Sequence, residues 1–297
     1  MKINSLVTLS DFNIRQGIDH YRENPMEFYR RLGFFLVALV LGVIFVFPFY
    51  WLIKVSIMWP AQSLYGGTPS LVLENPAPYN FVRVWYSIPF TTYFGVSVLV
   101  TAMAVVSQLL LCSLAAYGLS MDFYGKQYVW TYILAAMMVP FQTIFLPDFL
   151  VTQALGLVNT YVGLAIVVAV SVVNILVLHD SFSSIPDALT EAARLDGASE
   201  LYILFGVYWP LSKPALATTT ILAFIFSWNS FLWPLIVVSD TAHTPLPLGL
   251  VQFQSQMSGN FALQYAFAIL VLIPVLVMFL LLQRQFIKSA VLGSLKS

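Results

Sequence analysis

Long apolar runs separated by short polar stretches organise this chain. Residues 32–53 carry no charge, and further runs follow at 93–119, 128–150, 162–178, 215–238 and 262–282. A helix needs about 20 apolar residues to cross a hydrocarbon core about 30 Å thick. The pattern therefore predicts six membrane spans. Inside lipid only helices and closed barrels satisfy the backbone, and barrel strands alternate in polarity over about ten residues. These runs do not alternate, so the expected fold class is all-α, a polytopic bundle. Pro140 and Pro147 interrupt the third run and predict a kink or an early end there. The first run is too long for the apolar part of a cleavable signal, and the 31 residues before it carry both charge signs.

Composition supports a lipid environment. Of 297 residues, 60% are hydrophobic and 9% are charged, against about 25% charged in soluble domains. Net charge is zero, which gives no argument for nucleic acid. Lysine and arginine set the expected orientation. With both termini cytoplasmic, the inner segments hold Lys2, Arg15, Arg22, Arg30, Arg31, Lys126, Arg194, Lys213, Arg284, Lys288 and Lys296; only Lys54 and Arg83 fall outside. Positive residues favour the cytoplasmic side, so this arrangement is the expected one. The single cysteine, Cys112, excludes an intrachain disulfide and sits among apolar neighbours as a small packing residue. His20, His179 and His243 lie too far apart for a local metal motif, and no HExxH, GxSxG or phosphate-binding GxxxxGK[ST] sequence is present.

The longest inner segment, 179–214, carries the most ordered polar pattern. Ser184-Ile185-Pro186-Asp187 predicts a capping box with proline in the first helical turn. Glu191 and Arg194 are spaced to pair across one turn. Gly197 predicts a left-handed helix end, Ser199 the cap of a second helix, and Pro210 its stop. Leu201, Leu204, Phe205 and Tyr208 predict an apolar face on that second helix. Two readings stand on the residues alone: a solvated connector on the membrane surface, or a rigid docking element for a cytoplasmic partner.

Glu191-Ala192-Ala193, three residues, Gly197, nine residues, then Val207-x-Trp209-Pro210 resembles the EAA loop of ATP-binding-cassette import permeases. That family has isoleucine and leucine where Val207 and Trp209 stand. Trp228-Asn229-x-Phe231-x-Trp233-Pro234-Leu235, Pro245-Leu246-Pro247-Leu248-Gly249-Leu250 and the tail Gln283-Arg284-Gln285-Phe286 are similar to carbohydrate-uptake permeases, the shorter six-span subunit of the maltose and glycerol-phosphate type. His179-Asp180-Ser181-Phe182 departs from relatives, which often have arginine followed by aromatics. The resemblance implies a cytoplasmic leader 1–31, a six-helix permease domain 32–283 with its coupling loop at 184–214, and a cytoplasmic tail 284–297. It implies that Glu191, Ala192, Ala193, Asp196, Gly197 and Ala198 dock on an ATPase subunit. The partners it implies are a second, different permease subunit, two ATP-binding subunits and an extracytoplasmic solute-binding protein, in a prokaryotic inner membrane. ATP and magnesium would be bound by the ATPase partners, with no cofactor in this chain.

Trp228, Asn229 and Phe231 are candidates to line a sugar path, since amides bond hydroxyls and aromatic faces stack on sugar rings. Hydrogen bonding between helices is the other use for such residues. Gln254, Ser255 and Gln256, in the polar segment after the fifth run, are candidate contacts for the binding protein, with a solvated turn as the alternative. No basic cluster marks an anionic solute. An ion-gradient-driven secondary transporter is the rival reading. Such a protein usually needs an ionisable group deep in the membrane, and Asp148 is the one acid within a run.

Overall fold

The structure, a computed structural model, describes residues 25–59, 71–73, 75–257 and 259–294. Most of the leader, with Lys2, Arg15 and Arg22, and Lys296 at the other end lie outside the described residues. Every regular element among the described residues is helical. The chain divides into two compact units, Met1–Lys54 and Val55–Ser297.

The first unit contains most of α1 (Pro25–Ser56), which covers the first apolar run. Its side chains from Leu32 to Tyr50 are exposed on all sides, as suits a helix whose solvent is hydrocarbon. Near its end Phe47 stacks on Trp51 at 6.0 Å, and the Lys54 ammonium lies 4.6 Å from the Trp51 ring.

The second unit begins with a return loop. Buried Asn80 donates to the carbonyls of Ser56 and Met58, at 2.9 and 2.8 Å. Its helix α2 (Asn80–Ser87) leads into α3 (Phe90–Ser120), the central beam. The buried positions of α3 include Ser97, Thr101, Ala104, Cys112, Ser113 and Ala116. Small residues let neighbouring helices approach closely, which is how helices associate in lipid. The third run forms α4 (Lys126–Met137) and α5 (Phe141–Ala154), bent by 100° at Pro140 as the missing proline N–H predicts. Pro147 sits inside α5 without ending it.

The fourth and fifth runs differ from continuous spans. The fourth splits into α6 (Tyr161–Ile166) and α7 (Val172–Ser183); the fifth splits into α11 (Lys213–Trp228) and α12 (Leu232–Val237). Side chains replace the lost helical bonds. Gln108 Nε2 donates to the Val168 carbonyl at 2.6 Å, and Asn174 Nδ2 donates to Gln108 Oε1 at 2.5 Å. Trp233 Nε1 donates to the Gly163 carbonyl at 2.9 Å. Between the broken runs come α8 (Asp187–Leu195), α9 (Glu200–Tyr202), a π-helical turn (Ile203–Tyr208) and α10 (Trp209–Leu211). After α12, α13 (Leu246–Gln256) precedes the last long helix, α14 (Phe261–Ser294). Three helices among the described residues are long and apolar enough to span a membrane, and the bent α4–α5 pair adds a fourth candidate. The protein is an all-helical polytopic membrane protein.

Gly163, in the first turn of α6, is pressed against the preceding loop. A Cβ at this position would stand 2.1 Å from the Leu157 carbonyl oxygen. Gly163→Ala is expected to lower stability by about 1–3 kcal/mol, the usual cost of overpacking, read as a fall in Tm of the purified protein. Gly95→Ala is the control. Nothing lies within 4 Å of its Cβ, and helical alanine is favoured over glycine by about 0.5–1 kcal/mol. Its Tm should hold or rise.

Candidate functional site

The segment between α7 and α11 folds into a stiff knuckle at one end of the bundle. Its entry differs from the predicted capping box. Ser184 closes the α7 end, where its hydroxyl donates to the Ser181 carbonyl at 2.7 Å, and α8 has no side-chain cap. Pro186 is extended, at φ −62° and ψ 132°, and α8 starts one residue later at Asp187. Asp187 in the first turn and Arg194 in the last both suit the helix dipole.

The turn after α8 is as predicted. Gly197 adopts φ +80°. Its N–H donates to the Arg194 carbonyl and the Ala198 N–H donates to the Ala193 carbonyl, both at 3.0 Å. This 5→2 and 6→1 pair is a Schellman turn, which glycine enters without steric cost. Ser199 then caps α9 by accepting from the Tyr202 N–H at 3.3 Å.

The second half of the knuckle departs from a simple amphipathic helix. It passes through the π-helical turn, so the side chains that face inward are Ile203, Leu204 and Tyr208. Leu201 remains 59% exposed and Phe205 37% exposed, so of the expected face only Leu204 and Tyr208 turn inward, with Ile203 beside them. Pro210 does not stop the helix at itself. The helix runs on to Leu211 and turns at Ser212.

Ile203, Leu204 and Tyr208 join a core with Cys112, Ala116, Tyr117 and Leu119 of α3 and Ile175, Leu178 and Phe182 of α7. The Tyr208 hydroxyl meets the Thr190 hydroxyl at 2.9 Å, and its ring meets those of Tyr117 and Phe182 edge-on. Trp209, the departure from the family pattern, donates from Nε1 to Ser113 Oγ at 3.1 Å. The knuckle is thus rooted in the membrane helices at both of its helical arms.

Its outer side is open. Leu189, Ala192, Ala193, Asp196, Gly197, Ala198, Ser199, Tyr202 and Val207 line a groove of about 790 Å³. Of the six residues predicted to dock, five line this groove, and Glu191 is exposed beside it. Leu195, at the end of α8, is 88% exposed, and Tyr202 is 65% exposed. Leu189, Leu195 and Tyr202 were not among the expected docking residues, and their signal is an apolar side chain at a polar-loop position. The expected Glu191–Arg194 pair does not form. Arg194 instead grips Glu200, Nε to Oε1 at 2.8 Å and Nη2 to Oε2 at 3.2 Å. Arg194 first, and then the hydrogen bond from Tyr117, hold the Glu200 carboxyl below the usual glutamate range. A carboxyl lowered in this way supports the fold above its ordinary pKa, and that support is lost as pH falls through the lowered value. The contact is therefore complete at neutral pH.

The remaining sequence candidates lie elsewhere. Trp228 is 2% exposed, stacks on Phe224 and donates to the Val271 carbonyl at 3.0 Å. Asn229 is exposed at the α11–α12 break and donates to the Ile225 carbonyl at 2.9 Å; Phe231 is half-buried beyond it. Nearby, Ser97, Thr101, Ser227 and Ser230 help line a cavity of about 10 Å³, room for roughly one water. Gln254, Ser255 and Gln256 are exposed on the last turn of α13, while Phe253 anchors that turn in the core. Among the described residues no cluster of three His, Cys, Asp or Glu side chains could hold a metal ion.

Comparison with known proteins places this arrangement. The chain is 31% identical over 269 residues to the arabinooligosaccharides transport system permease protein of Halalkalibacterium halodurans, covering 89% of this chain and 95% of that one. It is 30% identical to the trehalose/maltose transport system permease protein of Thermococcus litoralis, covering 91% and 98%. It is also 30% identical to the lactose transport system permease protein of Rhizobium radiobacter, covering 84% and 91%. A crystal structure of a bacterial ABC transporter involved in import of the acidic polysaccharide alginate matches with a TM-score of 0.75 and 28% identity, over 86% of this chain and 97% of that one. Residues 108–289, more than half of the chain, match the family described as binding-protein-dependent transport system inner membrane component. The chain belongs to that family and is a membrane transport permease rather than an enzyme.

Proposed function

We propose that this permease forms half of the translocation path of an ATP-driven importer for a carbohydrate, paired with a second, different permease subunit in a prokaryotic inner membrane. Both termini and the knuckle face the cytoplasm in six-span topology, and one of two ATP-binding subunits docks on the groove around Gly197. The observation that carries this reading is the knuckle itself. A groove of small side chains on a Schellman turn, rooted by ring contacts and hydrogen bonds in α3 and α7, can pass a push from outside into the bundle. A floppy loop would absorb it. The absence of a phosphate-binding GxxxxGK[ST] sequence leaves ATP chemistry to the partners.

The carbohydrate assignment rests on the names of the relatives, which include permeases for arabinooligosaccharides, lactose and trehalose/maltose. Asn229 and Phe231 at the exposed break of the fifth run carry the amide and the aromatic face that a sugar requires. Trp228 backs them from the core. The solute-binding protein docks near Gln254, Ser255 and Gln256 on the opposite face, and it is a partner of the alginate structure neighbour as well.

Three substitutions test this. Gly197→Pro cannot reach φ +80°, and Glu191→Lys reverses the charge beside the groove. Each should reduce solute uptake by about tenfold or more, the equivalent of roughly 1.4 kcal/mol of docking, and should reduce partner ATPase activity with it. Import by the isolated chain along an ion gradient, unaffected by either change, would sink the proposal. For sidedness, Ala192→Cys should react with an impermeant maleimide in inside-out vesicles and stay unlabelled in intact cells, with little background because Cys112 is fully buried. The reverse labelling pattern refutes the topology.

A further inference from the structure

One polar cluster at the knuckle lies outside the docking groove and has no part in holding a ligand. Glu200, on α9, receives hydrogen bonds from two different elements. Tyr117 Oη, from the membrane helix α3, donates to Glu200 Oε2 at 2.5 Å. Arg194, from the docking helix α8, donates to both Glu200 oxygens, and its Nη2 also reaches Met121 Sδ, just past the end of α3, at 3.4 Å. Neither Glu200 nor Arg194 nor Tyr117 lines the groove. The Tyr117 ring is buried and stands edge-on to Tyr208 at 5.0 Å, so its hydroxyl is aimed by packing rather than by chance.

The arrangement separates two tasks. Apolar contacts beneath the knuckle hold it against the bundle but are non-directional. A carboxylate held by a planar guanidinium and a phenol hydroxyl fixes direction as well as distance. We propose that Glu200 is a positioning residue for transport, which fixes the angle between the docking helix and α3 so that displacement of one becomes displacement of the other. This rests on the importer reading given above. It assigns the transmission step to Tyr117, Arg194 and Glu200, and leaves docking to Glu191, Ala192, Ala193, Asp196, Gly197 and Ala198.

The test uses the complete importer, with its ATPase subunits and binding protein, in proteoliposomes. Glu200→Gln removes the charge and keeps the shape. Tyr117→Phe removes one hydroxyl and keeps the buried ring. Both variants are expected to co-purify with the ATPase subunits in wild-type ratio and to hydrolyse ATP. Both should raise the ATP hydrolysed per solute imported roughly 2- to 30-fold, the range that substitutions along a coupling path produce. The double variant Arg194→Glu with Glu200→Arg rebuilds a pair of opposite charges and should recover part of the ratio lost by either single change. A merely structural cap would alter yield or Tm and leave the ratio alone. An unchanged ratio in both Tyr117→Phe and Glu200→Gln overturns the proposal, and so does loss of the ATPase subunits on purification, which would place the cluster in the docking surface. A wild-type preparation that binds no ATPase subunit is a separate result, and it overturns the importer reading together with this one.

Discussion

Everything in this molecule is subject to one constraint: a peptide group in hydrocarbon has no water to turn to. An unpaired N–H or C=O there costs several kcal/mol, so each departure from a regular helix must bring its own replacement partner. The structure meets this demand with long polar side chains from neighbouring helices. Gln108 reaches the Val168 carbonyl, and Trp233 reaches the Gly163 carbonyl. Trp228 reaches Val271 within a turn of Pro274. Gln108 and Trp233 are therefore first of all repairs to broken backbone. Their positions decide where the bundle can be interrupted without losing stability.

The same logic explains why the knuckle is rigid. The end of α8 and the start of α9 are satisfied internally by the Schellman turn and by Ser199, which fixes the corner between them. Its inner face is fixed by rings and its outer face is left to small side chains. Small side chains leave few rotamers to freeze, and alanine and glycine have none. The exposed leucine and tyrosine at the groove edges, Leu195 and Tyr202, add apolar area where small residues offer little.

How much of this was legible in the sequence depended on how local the cause was. The bend at Pro140, the left-handed Gly197 and the cap at Ser199 each follow from one residue's own chemistry, and each stands where expected. The breaks in the fourth and fifth runs did not show. The stretch around Val168 is as apolar as a helix interior, and the side chain that makes its unwinding tolerable, Gln108, lies 60 residues away in sequence. The π-helical turn was hidden for a similar reason, since it is selected by the fit of Tyr208 against Tyr117 and Phe182. At short range, Ser184 closes the preceding helix and α8 starts after Pro186 without a side-chain cap, while Arg194 found a two-oxygen grip on Glu200 in place of the one-turn pair with Glu191. In the candidate site, the small docking residues were visible as a pattern, whereas the role of Tyr117 depends on tertiary contact alone.

The helix α3 is pinned near both of its ends. Toward its start, Ser97 Oγ accepts the Leu246 N–H at 2.7 Å, and toward its finish Tyr117 holds Glu200. Twenty residues separate the two pins, about 30 Å along the axis. A helix held this way behaves as a seesaw: a tilt of about 10° around its middle swings the pins by roughly 2.5 Å each, in opposite senses. A tilt that moves one pin therefore moves the other in the opposite direction, so the contacts with Leu246 and with Glu200 are linked through a single rod.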